Sequence, residues 1–217
     1  MAKLVIGTSK SVVVPAVVKE VEVTPVEKYA LLSRVKDDNN NEIGTVCGYH
    51  TDANNQKYAV VCLDAQYRLD SGHYLSSMKE VIGLEKLFSQ ALWENTDTAT
   101  SNCTKILDFA NAKGYTSTAV SHCRSKSFVI EGTTYYGQLP TIVELTDVFR
   151  NRTAINTKDT SASQYSSLVI SGSKSAWSSS QGNVTDGWNL QNYDGRTSHY
   201  SKYDEEFVIP VLEIPID

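Results

Sequence analysis

The most constraining feature of this sequence is a valine-rich segment near its beginning, interrupted by two prolines. Eight valines fall between residues 12 and 26, together with Pro15 and Pro25. β-branched residues favour extended strands, and proline cannot donate a hydrogen bond within a central strand. Since the segment holds too little apolar surface to fold alone, we predict an edge strand or an arm that becomes ordered against another surface.

This segment divides the chain near residue 43. Residues 1–43 are predicted to form an N-terminal arm and a first strand, and residues 44–217 a single globular domain. Residues 26–36 fit equally well as the first strand of that domain. The arm residues predicted to make the docking contact are Leu4, Val5, Ile6, Val12, Val13, Val14, Pro15, Val17 and Val18.

Composition and charge exclude several classes of protein. Hydrophobic residues make up 41% of the chain and charged residues 21%, which is typical of a folded protein. A net charge of −5 disfavours binding to phosphates, so we expect no nucleic-acid partner. The apolar runs are too short for a membrane span, and the start lacks a signal-peptide cleavage pattern, so we expect neither a membrane partner nor a signal peptide.

The four cysteines predict neither a zinc site nor a fixed disulfide framework. Cys47, Cys62, Cys103 and Cys123 form no CxxC pair, which a tetrahedral zinc site usually needs. In an oxidising compartment they allow three disulfide pairings. Without a signal peptide we favour four buried thiols.

Local patterns predict strands, then helices, then strands again, which indicates an α+β fold. A polar hairpin tip is predicted at 37–42, where asparagine tolerates left-handed backbone conformations. Ser101 or Asn102 is expected to cap the first helix, which Gly114 ends. The Ser/Thr-rich stretch 157–185 favours strands with long loops. The other predicted elements are strands at 43–49 and 58–63, a helix at 101–113, a helix that begins at Leu139-Pro140, and a final strand at 206–214.

The residue patterns that support catalysis or metal binding are weak. The four histidines do not recur at a spacing suited to a shared metal, and no GxSxG nucleophile motif occurs. We therefore expect no enzymatic activity, no bound metal and no cofactor. Carboxylates that could converge in space as an acid/base pair are Asp64, Asp70, Glu94, Asp97, Glu144 and Asp186, although no spacing favours this.

Aromatic residues near the end of the chain are the best candidates for a ligand surface. Tyrosine and tryptophan combine a large planar face with a polar group, which suits sugar rings and peptides. The alternative that these residues belong to the core stays open, and Trp177 is expected to be buried. The candidate ligand residues are Trp188, Tyr193, Arg196, Tyr200 and Tyr203.

Several short motifs occur in a characteristic order. They are Ala91-Leu92-Trp93, a helix ending near Gly114, residues 119–123, Gln138-Leu139-Pro140-Thr141 with Glu144-Leu145, Ala154-Ile155-Asn156, Ala176-Trp177-Ser178-Ser179-Ser180, Trp188-Asn189-Leu190, and Val208-Ile209-Pro210-Val211-Leu212. This series resembles the C-type-lectin-like domains found in phage and Bacteroidetes surface proteins, over about residues 44–217. The EPN, QPD and WND motifs of calcium-dependent sugar binding are not matched, so calcium-dependent sugar binding is not expected. The paired active-site cysteines of formylglycine-generating oxidases, which share this fold, are not matched either.

The arm extends this resemblance to virion proteins. Residues 1–19 are similar to the virion-docking start of fibre or decoration proteins of crAss-like phages that infect Bacteroidetes. The resemblance implies a head fibre or capsid-decorating protein, assembled in the host cytoplasm, whose arm docks on capsid or fibre proteins and whose lectin-like domain faces outward. It also implies a homo-oligomer, a trimer or else a dimer, with possible adhesion to host glycans. The alternatives are a tail-associated receptor-binding protein and a bacterial surface adhesin.

Overall fold

The computed structural model describes residues 28–75, 98–171, 175–181, 186–190 and 197–217. The docking residues predicted in the arm lie outside these ranges. Within them the chain is a mixed α+β fold, and the predicted α+β class is therefore confirmed. The strands are β1 (Arg34–Lys36), β2 (Glu42–Thr51), β3 (Lys57–Leu63), β4 (Leu69–His73), β5 (Ser127–Ile130), β6 (Thr133–Tyr136), β7 (Ala176–Gln181), β8 (Asp186–Leu190), β9 (Thr197–Ser201), β10 (Glu206–Val208) and β11 (Val211–Ile216). The α-helices are α1 (Ala99–Lys113), α2 (Thr118–Arg124), α3 (Ile142–Arg150) and α4 (Arg152–Lys158).

An antiparallel sheet of four strands, in the order β1-β2-β3-β11, is buried on both faces. One face packs on α3 and α4, and the other on the β5–β6 hairpin. Strand β2 is therefore apolar on both sides rather than alternating. Helix α3 approaches β2 so closely that a Cβ at Gly48 would lie 2.5 Å from Oδ2 of Asp147.

A second sheet of five strands has the order β4-β10-β7-β8-β9. It packs on α1 and α2, and Trp177 lies fully buried between them, as the sequence predicted. The single final strand predicted at 206–214 is wrong. The chain instead leaves the second sheet after β10 and enters the first sheet as β11, with Ile209 and Pro210 between them. Pro210 has no N–H to continue a ladder, but its carbonyl accepts a hydrogen bond from Leu63 N, at 3.0 Å.

The predicted helices form, but both begin at a different residue from the one expected. Helix α1 begins after Thr98, whose hydroxyl accepts a hydrogen bond from Ser101 N, so neither Ser101 nor Asn102 is the cap. It ends at Gly114 with a φ of 74°, as expected. Helix α3 begins after Thr141, so Pro140 precedes the helix rather than lying in its first turn.

The region around the predicted boundary at residue 43 belongs to the first sheet. The first predicted hairpin is present as β2 and β3, and Asn40 in the turn before it has a φ of 64°. Strand β1 pairs with β2, and the side chain of Ile43 is fully buried. From Lys28 onward the chain is therefore continuous with the domain, and a boundary at 43 falls inside β2.

The sequence analysis missed α2, α4 and the β5–β6 hairpin. In the Ser/Thr-rich region 157–185, the described part before β7 forms the end of α4, turns and a short 3-10 helix instead of further strands. Among the described residues, no helix has the length and apolar character needed to cross a membrane.

Candidate functional site

The two strongest sequence motifs meet at the start of α3. We call Pro140–Glu144 and Ser178–Ser180 the motif centre. Ser179 N donates to Pro140 O at 2.7 Å, and Ile142 N donates to Ser180 Oγ at 3.0 Å. The Ser180 hydroxyl of β7 therefore satisfies one of the backbone N–H groups at a helix N-terminus, which otherwise lack partners, and the backbone of Ser179 holds the residue before the helix.

Thr141 and Glu144 complete this helix start as a capping box. Glu144 N donates to Thr141 Oγ1 at 3.3 Å, and Thr141 N donates to Glu144 Oε2 at 2.7 Å. Both side chains are buried, as are all three serines. The run of serine hydroxyls is thus a structural support inside the protein, rather than a set of exposed nucleophiles.

A second carboxyl group lies close to the motif centre. Glu213 on β11 accepts hydrogen bonds from Ala99 N and Thr100 N, both at 2.8 Å, and from Thr100 Oγ1 at 2.6 Å. It therefore satisfies the N-terminus of α1 and neutralises part of the helix dipole. Burial, and after it the negative charge of Glu213, raises the pKa of Glu144 well above its ordinary value.

This pair of carboxyl groups differs from the acid/base pair considered from the sequence. Glu144 is 1% exposed and Glu213 is 7% exposed, so a substrate could not reach them without local unfolding. Of the other carboxylates considered, Asp64 is held by Arg34 at 2.6 Å, Asp186 lies on β8, and Asp70 lies on β4. Glu94 and Asp97 lie outside the described residues. The described geometry therefore favours a structural role for Glu144 and Glu213.

The structure places Trp188 and Tyr200 on opposite faces of the β8–β9 pair. Tyr200 is the cross-strand partner of Gly187, while Trp188 is the partner of His199. Because neighbouring residues on a strand point to opposite faces, Trp188 packs toward α3 and Tyr200 toward Trp177. These two candidates do not share one surface. Tyr193 and Arg196 lie outside the described residues.

Of the three candidate residues that the structure describes, Tyr203 is the most exposed, at 44%. Its ring stacks on that of Tyr74, with centroids 6.3 Å apart and planes 10° from parallel. The pairing of β4 with β10 brings these tyrosines together from distant parts of the sequence. We call Tyr74 and Tyr203 the tyrosine pair. The sequence analysis missed Tyr74, since only the strand order reveals its position.

Two histidines also approach each other across the fold. The rings of His73 and His122 have centroids 6.4 Å apart, which their separation in the sequence gave no reason to expect. Nε2 of His122 lies 2.8 Å from Tyr67 O, and burial lowers the pKa of His122. In the described part of the chain no three His, Cys, Asp or Glu residues cluster as a metal site would require.

All four cysteines are free and buried, as the sequence favoured. Burial raises the pKa of each thiol, to about 11 for Cys62 and about 12 for Cys103. A thiol with a raised pKa and no solvent access is a poor nucleophile. The cysteines therefore act as small apolar core residues.

A cleft of about 310 Å³ lies at the outer edge of β1, and we call it the β1 cleft. It separates β1 from the tip of the β5–β6 hairpin and is lined by Tyr29, Val35, Lys36, Asp38, Ile130 and Glu131, among others. Lys28 also lines it and forms an ion pair with Glu131. The cleft therefore lies where the preceding residues, 1–27, join the described domain.

Comparison with known proteins gives a similarity in fold. No known protein family and no curated protein matches the sequence. The fold is similar to the crystal structure of a fimbrial protein from Bacteroides ovatus, with a TM-score of 0.53 and 13% sequence identity. The similarity covers 83% of this chain but only 45% of the fimbrial protein. At this identity the match establishes a shared fold; the resemblance to C-type-lectin-like phage proteins stays a prediction.

Proposed function

We propose that this chain is a structural and adhesive subunit of a surface-exposed assembly, without catalytic activity. The observation that carries the proposal is the fold shared with a fimbrial protein over most of this chain. The motif centre supports it, because the side chains that the motifs specify hold helices in place instead of facing a substrate. Such a rigid interior suits a protein that displays loops.

More specifically, we propose a head fibre or decoration protein of a tailed phage, with a C-type-lectin-like domain facing outward. The ordered motifs support this assignment, and the contact of Pro140 with Ser179 gives a physical reason why two of them occur together. Residues 1–27 then dock on the capsid or on another virion protein, and several copies of the domain act together through avidity.

A bacterial surface adhesin is the second candidate, and the fimbrial protein from a Bacteroides species favours it. Mass spectrometry of separated phage heads, phage tails and host envelopes tests both. Enrichment in heads supports the first proposal, enrichment in tails supports a receptor-binding protein, and enrichment in envelopes supports the adhesin. Absence from all three fractions would contradict an assembly role.

The tyrosine pair is the proposed contact for a host glycan. A sugar ring packs against an exposed aromatic face, so Tyr203→Ala should weaken glycan binding by roughly two- to tenfold, by analogy with the ~0.5–1.5 kcal/mol of aromatic contacts. Tyr136 is the matched control, because it is 50% exposed and lies on the β5–β6 hairpin. Binding to a glycan array by both variants and the unchanged protein measures the effect. Equal losses for Tyr203→Ala and Tyr136→Ala would contradict the proposed contact.

A further inference from the structure

We propose that the β1 cleft binds the valine-rich segment 12–18 of a second copy of this chain as an added β-strand. The inference rests on the proposed function in one respect, which is that the chain assembles with other subunits. It goes beyond that function by naming the acceptor site and the segment that fills it.

The acceptor is an unpaired sheet edge. In the described residues, β1 pairs with β2 alone and is the outermost strand of its sheet. An exposed edge of this kind presents backbone N–H and C=O groups that another strand can pair with. Val35 of β1 and Ile130 of β5 line the cleft beside this edge and give it an apolar floor.

Hydrogen bonds at one end of the cleft fix the positions of its two sides. Asp38 N donates to Val129 O at 2.8 Å, and the Asp38 carboxylate accepts hydrogen bonds from Glu131 N and Gly132 N at 2.6 and 2.8 Å. These bonds fix the hairpin tip relative to the turn after β1. Strands β1 and β5 therefore stay apart along the cleft without pairing with each other, which leaves a space for an extended segment.

The position of residues 1–27 identifies the occupant. Residue 27 is joined to Lys28, which lines the cleft, so every copy carries a valine-rich segment that ends ten residues before an acceptor in the sequence. Residues 12–18 are valine except for Pro15 and Ala16, and this composition favours a strand against an apolar floor. Pro15 is the one residue of this segment whose backbone cannot donate a hydrogen bond, and proline is tolerated in an edge strand.

The linking residues favour exchange between copies over folding back. Residues 19–27 contain no Gly, Asn, Asp or Ser, so Pro25 is their one residue of a type that favours turns, and the sequence has no glycine between Gly7 and Gly44. A reversal of direction uses such residues, so a return of segment 12–18 to its own cleft is disfavoured. Sixteen extended residues from 12 to 27 span roughly 50 Å, far enough to reach a neighbouring copy. The contact is heterologous and closes into a ring if the rotation between copies allows it.

Disulfide cross-linking of the full chain tests the inference. Lys36 is exposed on β1 and is the site of the first cysteine. Three double variants combine Lys36→Cys in one chain with Val12→Cys, Val13→Cys or Val14→Cys, because the register in which the added strand would pair with β1 is not fixed. The expected result is a ladder of covalent dimers and larger species after mild oxidation. A tagged Lys36→Cys chain mixed with an untagged valine variant should give a mixed dimer. Replacing Lys36→Cys by Lys57→Cys, on the exposed start of β3, is the matched control and should reduce the yield at least tenfold.

Either of the following two results would contradict the inference. An intramolecular disulfide in a monomer shows that the chain fills its own cleft. The absence of cross-links in all three pairs, or equal yields with Lys57→Cys, removes the cleft as acceptor. Because purified protein is used, a chain that cross-links as expected but is missing from particles would contradict the virion role and leave this inference standing.

Discussion

Replacement of Glu144 by glutamine should change how the stability of the domain depends on pH. The pKa of Glu144 is raised well above its ordinary value of 4.5, by burial first and then by the charge of Glu213. In the unfolded chain Glu144 titrates near its ordinary pKa of 4.5, and in the folded protein its pKa is higher. Between these two pKa values the native state holds more protons than the unfolded state, so the free energy of unfolding falls as pH rises. The loss is at most about 1.4 kcal/mol per pH unit, and it continues until the pH reaches the raised pKa of Glu144.

Glutamine removes this titration and keeps an oxygen that can accept the hydrogen bond from Thr141 N. Urea unfolding of both proteins at pH 5, 6 and 7 measures the effect. As pH rises, the free energy of unfolding of Glu144→Gln should increase relative to that of the unchanged protein, by at most ~1.4 kcal/mol per pH unit, which corresponds to at most roughly 3–6 °C in Tm at this chain length. Glu205→Gln, at an exposed site, is the control and should leave the profile unchanged. Parallel pH profiles for Glu144→Gln and the unchanged protein would refute the reasoning.

Other expected outcomes follow from single contacts. Burial, and then the charge of Asp204, raises the pKa of Glu206 to about 7, so Glu206→Gln should flatten the decline in stability between about pH 4.5 and 7 in the same titration. Arg68→Met should lower the free energy of urea unfolding by ~3–5 kcal/mol, because it leaves the fully buried Asp159 carboxylate without its ion-pair partner, and Asp159→Asn in addition should restore part of the loss. Gly137→Ala should destabilise the domain by ~1–3 kcal/mol in calorimetry, since its Cβ would lie 2.5 Å from the backbone carbonyl oxygen of Cys123. Deletion of residues 1–25 should leave the far-UV spectrum of the domain unchanged, and loss of cooperative unfolding would contradict an arm outside the core.

Features with strong local chemistry could be predicted from the sequence. The hairpin of β2 and β3 follows from two β-branched runs joined by a polar turn. The end of α1 at Gly114 follows from the ease with which glycine adopts a φ of 74°. The burial of Trp177 and the free state of the cysteines also match expectation. In each case nearby residues carry the information.

Features that depend on contacts between distant residues could not be predicted. Residues 206–214 are divided into β10 and β11, and the carbonyl of Pro210 between them accepts a hydrogen bond from Leu63 N, which is distant in the sequence. The local pattern of residues does not indicate this contact. Glu213 holds the start of α1 from 114 residues away, so no local pattern indicates its role. The tyrosine pair likewise depends on the order of strands in the second sheet. These contacts follow from topology, which a local periodicity does not specify.

The way the domain is packed restricts where it can bind another molecule. The first sheet is covered on both faces, by α3 and α4 on one side and by the β5–β6 hairpin on the other. The motif centre is buried, so its hydroxyls and carboxyls serve the fold. The β1 cleft lies at a sheet edge and the tyrosine pair lies next to the ends of β4 and β10, so both are outside these buried regions. A sheet edge presents backbone groups that another strand can pair with, and turns present side chains that packing does not cover, so features of these two kinds are where the described domain is best suited to contact another molecule.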